Sequence, residues 1–276
     1  IHTVDAFENR LTTPQDLASQ KTRFPFVNPQ TGPIRVKGSE PGDTLRVNIE
    51  DITPTRDYAV TALIPNFGGL TATSHTRTLN QPLPEQTRIL PIRDGHIIFN
   101  DKIRIPYQPF MGTMGVAPQI EAVNALTPSY WGGNMDCVES CPGHEMHFPV
   151  LVEGAFFFTG DAHATQGDGE ITGVACEIPS RVTVTLDLIK GKAITWPRAV
   201  SDGFIMTIGS ARPLDDAVRI ASVELIDWMV SDYGFDRLDA YQLLGQVVQY
   251  RIGNMVDPNY TVVAKMPRQY VQATNA

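Results

Sequence analysis

The densest run of polar and ionisable side chains in the 276-residue sequence is Thr159-Gly160-Asp161-Ala162-His163-Ala164-Thr165-Gln166-Gly167-Asp168-Gly169-Glu170, directly after the apolar stretch Gly154-Ala155-Phe156-Phe157-Phe158. Asp161 and His163 are two apart, so they share one face if the strand continues. Gly167 and Gly169 free the backbone to fold Asp168 and Glu170 back toward them. Carboxylates with a single imidazole suit a divalent cation, zinc before calcium, because imidazole disfavours a hard all-oxygen site. Such an ion lowers the pKa of a bound water enough to make hydroxide near neutral pH. The plain alternative is a Gly-Asp turn with solvated side chains. A second stretch, Trp131-Gly132-Gly133-Asn134-Met135-Asp136, adds a carboxylate and an amide on a glycine-opened turn. Asp136 is then a further ligand and Asn134 a donor to a carbonyl or a developing oxyanion. Local capping of the backbone by both residues is the competing reading. The expected metal ligands are Asp136, Asp161, His163 and Glu170, with Asp168 in reserve.

Other residues carry alternatives. The spacing Cys137-x3-Cys141-x2-His144-x2-His147 offers thiolates and imidazoles to zinc, but it differs from common zinc ribbons and fingers and leads into a strand whose alternate residues face opposite ways. Under that reading one histidine lines a pocket and the other does not. Cys141 is a candidate nucleophile if His144 or His163 serves as its base. Glu177 stands on an apolar strand, where an unpaired charge is costly, so it is either paired with a cation or part of the site. Phe110, Met111 and Met114 read as core or pocket wall, whereas His75 and His96 read as exposed loop residues.

The elements that must position these groups are mostly strands. With 21 Pro and 22 Gly among short Val/Ile/Thr-rich runs, the first three quarters of the chain predict many short strands joined by turns. Arg46 to Glu50 alternates polar and apolar after the turn Glu40-Pro41-Gly42-Asp43; Phe148 to Val152, Phe156 to Thr159 and Val182 to Leu188 read alike. From Leu214 to Val230 the apolar spacing becomes helical, with Asp215 and Asp216 in the first turn, and a second helix is expected from about Arg237 to Tyr250. The expectation is a mainly β fold, sandwich or barrel-like, with a small C-terminal helical segment, as a single domain over residues 1–276 that lacks some N-terminal sequence. Gly160 to Glu170 should connect two strands at the mouth of a pocket.

The formal charge of -8, without a Lys/Arg-rich run, argues against nucleic acid or an anionic membrane as partner and fits a small neutral substrate. No apolar stretch approaches the roughly 20 residues that span a bilayer. Three cysteines are too few for a disulfide framework, and with no signal peptide in view the protein reads as cytoplasmic. Exposed sheet edges predict a homodimer or larger homo-oligomer.

Taken together, Gly132 to Asp136 and Gly160-Asp161-x-His163-Ala164-x-Gln166-Gly167-Asp168-Gly169-Glu170 resemble the acetamidase/formamidase family. Thr31 to Asp43, Pro109 to Pro118 and Gly173-Val174-Ala175-Cys176-Glu177 resemble further family stretches, in the family order and over nearly the whole chain. The resemblance implies hydrolysis of short amides to a carboxylate and ammonia, on a mainly β fold, usually in an oligomer. The chain departs from it in lacking sequence before His2, in carrying Cys137, Cys141, His144 and His147 between the two polar motifs, and in having no acidic residue within Gln246 to Ile252. The expected chemistry is attack by ion-activated water, with Asp161, Glu170 or Glu177 carrying the proton and Asn134 holding the oxyanion. His144, His147, Phe110 and Met111 are the expected walls of the substrate pocket. A γ-lactam hydrolase and a non-catalytic, metal-stabilised β-rich binding module are the alternatives; a structural metal site would be closed by protein ligands, a catalytic one open.

Overall fold

Strand β3 (Thr44–Pro54) illustrates how the sequence builds the sheets: Leu45, Val47 and Ile49 are buried while Arg46, Asn48 and Glu50 turn outward, the two-residue period of a half-buried strand. A computed structural model describes residues 1–23, 26–70 and 84–272. In chain order its elements are β1 (His2–Thr3), α1 (Ala18–Lys21), β2 (Gln30–Ile34), β3 (Thr44–Pro54), β4 (Tyr58–Leu63), β5 (Gln86–Arg93), β6 (His96–Ile98), β7 (Arg104–Pro106) and β8 (Phe110–Gly115). They continue with β9 (Gly132–Asn134), β10 (Glu145–Pro149), β11 (Phe157–His163), β12 (Glu177–Ile178), β13 (Ser180–Ile189), β14 (Arg198–Val200) and β15 (Phe204–Ala211). The C-terminal part holds α2 (Leu214–Tyr233), α3 (Arg237–Val247), β16 (Gln249–Ile252), β17 (Tyr260–Pro267) and α4 (Arg268–Gln272).

These strands form two antiparallel sheets, ordered β1-β13-β3-β10-β14-β15-β17-β16 and β7-β6-β5-β4-β12-β11-β8-β9, with β2 added on β11. The main core lies between them: Leu45, Val47, Met146, Phe148 and Met206 from the first sheet meet Met111, Met114, Phe157 and Ile178 from the second. The arrangement is a sandwich, and neither sheet closes into a barrel. Helices α2 and α3 cover the outer face of the first sheet through Leu225, Trp228, Met229 and Leu244. The N-terminal segment lays Phe7, Leu11 and Ala18 against Val60 and Ala62 of β4.

Several boundaries move relative to the sequence reading. Helix α2 runs on to Tyr233, where Gly234 caps it in the left-handed region at φ 72°. Helix α3 stops at Val247, and Gln249–Ile252 instead pairs with β17, because a β-branched pair followed by a free sheet edge favours extended backbone. Strand β10 starts at Glu145 rather than Phe148, its polar first residues being held by β3 and β14 on either side. The Gly160 to Glu170 run is half strand, since β11 continues through His163 before the loop to β12 begins. His96 opens β6 instead of lying in a loop, and His75 falls outside the described residues.

Candidate active site

Asp161 and His163 end β11, whose neighbours β8 and β12 place Gly112 and Glu177 beside them. Glu177 pairs in register with His163, and its Oε2 lies 3.3 Å from His163 Nε2; Asp161 Oδ2 is 3.4 Å from the same nitrogen. Asp136 arrives from the loop after β9, Glu170 from the loop between β11 and β12, and Asp257 from the loop before β17. Ligand atoms of Asp136, Asp161 and His163, of His163, Glu170 and Glu177, and of Asp136, Glu170 and Asp257 lie within 4.8 Å of one another in each trio. All six residues are buried.

The local backbone explains how carboxylates from separate segments point inward together. Asp136, Asp161 and Glu170 take φ values of 47°, 57° and 46°, the left-handed region that non-glycine residues rarely occupy and that costs on the order of 1–3 kcal/mol each. Neighbouring amides then hold the cluster. Asn134 donates both amide hydrogens, to Asp136 Oδ2 at 2.9 Å and Asp257 Oδ2 at 2.8 Å, while its Oδ1 accepts from the Thr113 hydroxyl and from Asn28 Nδ2. Asn28 Nδ2 also reaches Asp161 Oδ2 at 2.9 Å. Asn254 Nδ2 ties the carbonyls of Asn134 and Met135 at 3.3 and 3.4 Å.

Electrostatically the site sets five buried carboxylates around one imidazole. Burial, and then Glu170, Asp257 and Asp161, push Asp136 well above the usual carboxylate range. Burial leads the same rise in Glu170, partly offset by His163, and brings Glu177 and Asp257 to about 7. Burial works against the imidazolium of His163, but Glu177 and Asp161 beside it outweigh burial and hold it well above the ordinary histidine value. Asp136 Oδ1, Asp161 Oδ1, His163 Nε2 and Glu177 Oε2 are buried without a hydrogen-bond partner. A Cβ on Gly112 would sit 2.6 Å from Asp136 Oδ1, 2.7 Å from Asp161 Oδ2 and 2.9 Å from His163 Cε1, so the strand leaves this cradle clear. Unpartnered oxygens and one imidazole nitrogen converging on a cleared space fit a divalent cation, and these buried groups could hold one. The cluster faces a cavity of about 340 Å³, to which Asp161, Glu170, Glu177 and Asp257 contribute the polar floor and Phe7, Ile64, Phe67, Leu126 and Val174 the apolar walls. A larger groove of about 570 Å³ meets only Glu170 among the six, so the smaller cavity is the one the chemistry faces.

The four residues expected to ligate a metal therefore stand together, and Glu177 joins them. Other expectations need correction. Asp168 is exposed and paired with Arg251, because the Gly169 turn sends it outward while Glu170 turns in. His144 bonds the Glu139 carbonyl and His147 packs near Trp228 beside Glu145, both on the side of the first sheet, so neither walls the cavity. Phe110 supports His163 edge-on at 4.9 Å and Met111 is core, since β8 is buried along its whole length. With both amide hydrogens spent on carboxylates, Asn134 is scaffolding and not a free donor to a carbonyl. Burial pushes the Cys137 and Cys176 thiols up to about 12 and Cys141 to about 11, leaving them protonated at neutral pH, and among the described residues no ligand cluster includes a cysteine. Asn28 and Asp257 were not singled out by the sequence; the polar run Gly253-Asn254-Met255-Val256-Asp257-Pro258-Asn259 is the one signal that could have found the second.

A sequence model of the Acetamidase/Formamidase family matches residues 1–127 and 119–272. The chain belongs to that family. Among solved structures of the fold, an acetamidase from Yersinia enterocolitica superposes with a TM-score of 0.94 at 46% identity, covering 98% of this chain and 82% of that one. An acetamidase from Bacillus halodurans gives 0.92 at 30% identity, over 100% and 90%. An acetamidase of Mycolicibacterium smegmatis is 29% identical over 239 residues, 67% of this chain and 58% of that relative's length. The chain thus spans little more than half of the curated relatives it matches. Family membership accords with the resemblance carried by the two polar motifs, both of which lie at the cluster.

Proposed function

We propose that the protein hydrolyses the C–N bond of small linear amides to a carboxylate and ammonia, with zinc as the ion held by Asp136, Asp161, His163 and Glu170. The observation that carries this reading is the set of buried, unpartnered ligand atoms on Asp136, Asp161, His163 and Glu177, two of which, Asp161 and Glu177, line the 340 Å³ cavity with Glu170 and Asp257. A structural site would be closed by its ligands and hydrogen bonds, whereas here a floor of carboxylates faces a space at the small end of ligand pockets, about 300–1,000 Å³. The relatives named for acetamide and formamide hydrolysis supply the substrate class. Bound there, the ion would act as a Lewis acid toward the carbonyl and lower the pKa of a coordinated water.

The chain's own residues do the rest. The apolar walls hold the acyl group and leave the amide carbonyl and nitrogen at the polar floor. Glu177, a floor carboxylate outside that ligand set, takes a proton from the attacking water and passes it to the departing nitrogen, a role that suits a group brought to about 7 by burial. Asn134, Asn28 and Asn254 keep the floor rigid. No described helix is long and apolar enough to cross a membrane; with three free thiols this fits the cytoplasm, and the open sheet edges fit a homodimer or larger assembly.

The test follows ammonia release from formamide, acetamide, propionamide and a γ-lactam in the parent and in Asp161→Asn, His163→Ala, Glu170→Gln and Cys141→Ala, with metal content measured on each. Turnover of the linear amides should vanish with chelation and return with zinc. The first three variants should lose kcat by at least about 10³-fold, as when the nucleophile's activation is removed, and Cys141→Ala should stay near the parent. Activity lost only in Cys141→Ala, or untouched by chelation, overturns the reading.

A further inference from the structure

Gln166 belongs to the polar run that marks the site, yet the reaction as described gives it no part. It sits on the loop after β11, half-buried, and makes three hydrogen bonds. His163 Nδ1 lies 3.0 Å from its Oε1, and its Nε2 reaches the carbonyls of Asp136 and Gly253 at 2.9 Å each. An amide nitrogen carries two hydrogens and the amide oxygen none, so the two carbonyls consume both donors. The reversed amide would set its oxygen against two carbonyl oxygens. Oε1 must therefore face the imidazole, and Nδ1 must carry the hydrogen that lies between them.

We propose that Gln166 is a positioning residue that fixes His163 as the Nδ1–H tautomer, leaving Nε2 as the atom offered to a divalent cation. The inference rests on the metal reading above. Two further observations support it. Nε2 is the imidazole atom that lies among Asp161 and Glu177 without a hydrogen-bond partner. Phe110 stands edge-on to the ring at 86°, so the ring is held from its side by an aromatic wall and from its end by the amide. The two carbonyls that Gln166 grips belong to Asp136, itself in the cluster, and to Gly253, on the loop that carries Asp257. One neutral side chain thus sets the spacing of three segments that supply cluster residues. Glutamate could accept from Nδ1 but would repel both carbonyls, which explains an amide at this position.

The experiment titrates zinc into metal-free protein against a chromophoric chelator and reads the His163 tautomer from ¹⁵N–¹H long-range correlations of histidine-labelled protein. Nδ1 should be protonated in the zinc-loaded parent. Gln166→Met should weaken zinc binding about 10- to 100-fold and scramble the tautomer, the range seen when a partner behind a ligating histidine is removed. Gln166→Glu should keep the Nδ1–H signature and recover part of the affinity. A merely structural glutamine would lower Tm in both variants and leave the tautomer alone. Zinc affinity of Gln166→Met within about twofold of the parent, or a zinc-loaded parent without a proton on Nδ1, overturns the inference and leaves the metal reading standing. A parent that takes up no zinc overturns both. Should Gln166→Met not fold, the tautomer of the parent decides alone.

Discussion

At Gly112 the missing side chain matters more than most side chains that are present. It lies on a buried strand with ordinary backbone, so its value is the space it leaves, 2.6 to 2.9 Å from where two carboxylate oxygens and an imidazole carbon already stand. Gly112→Ala should lower zinc affinity by at least about tenfold, through displaced ligands, while the far-UV circular dichroism stays that of the parent. Parent-like zinc binding in this variant would mean that the ion sits elsewhere. Around that space, single residues were legible in the sequence where they are near neighbours in the chain: Asp161, His163 and Glu170 fall in one run, and Asp136 follows a Gly-Gly-Asn turn. Asn28 and Asp257 were not, because they reach the site across 133 and 123 residues: nothing local marks a lone Asn, and the polar run around Asp257 reads equally well as an ordinary turn. The outward turn of Asp168 was equally hidden, since only the φ values at Gly169 and Glu170 decide which of two neighbouring acids faces in.

Among elements, the helix α2 and the first sheet form a unit with its own polar anchor. Arg198 on β14 and Glu224 on α2 are both buried, joined at 2.6 Å, with Thr195 on the same carboxylate and the Trp228 ring 4.7 Å from the guanidinium. His147, expected at the substrate pocket, packs against that tryptophan instead. Removing one partner leaves a buried charge uncompensated, so Glu224→Ala should destabilise the fold by about 3–5 kcal/mol, seen as a lower denaturant midpoint. Its kcat should equal the parent's under conditions where it is folded, because the pair lies on the far side of the first sheet from the cluster. A loss of less than about 1 kcal/mol would mean the pair is screened or replaceable by water. Strand alternation and the helical spacing from Leu214 were legible because burial imposes a period of 2 or 3.6 on the sequence. Where tertiary pairing overrides that period, as when β17 recruits Gln249–Ile252, the sequence alone points to the wrong element.

At the scale of the whole molecule, the sheets end in β1 and β16 on one and β7 and β9 on the other; β1, β7 and β16 carry exposed residues, whereas β9 is buried. Leu238 and Tyr241, 68% and 62% exposed on α3, add apolar surface near the β16 edge. Light scattering at micromolar concentration should therefore give at least twice the 30.4 kDa of one chain. A monomeric mass overturns this expectation. The two-sheet architecture was legible from many short strands, but which strands neighbour one another was not, since β3 pairs with β10 and β13, far along the chain. The same topology bears on synthesis. The cluster draws on residues from Asn28 to Asp257, so a chain emerging from the ribosome exposes four acids and a histidine well before the fifth acid, Asp257, arrives. Until then those charges repel one another with no enclosed space to share, and the half-made site holds an ion only weakly. If the cluster takes the ion proposed above, its capture falls at the end of folding, and chains that stall early should stay empty.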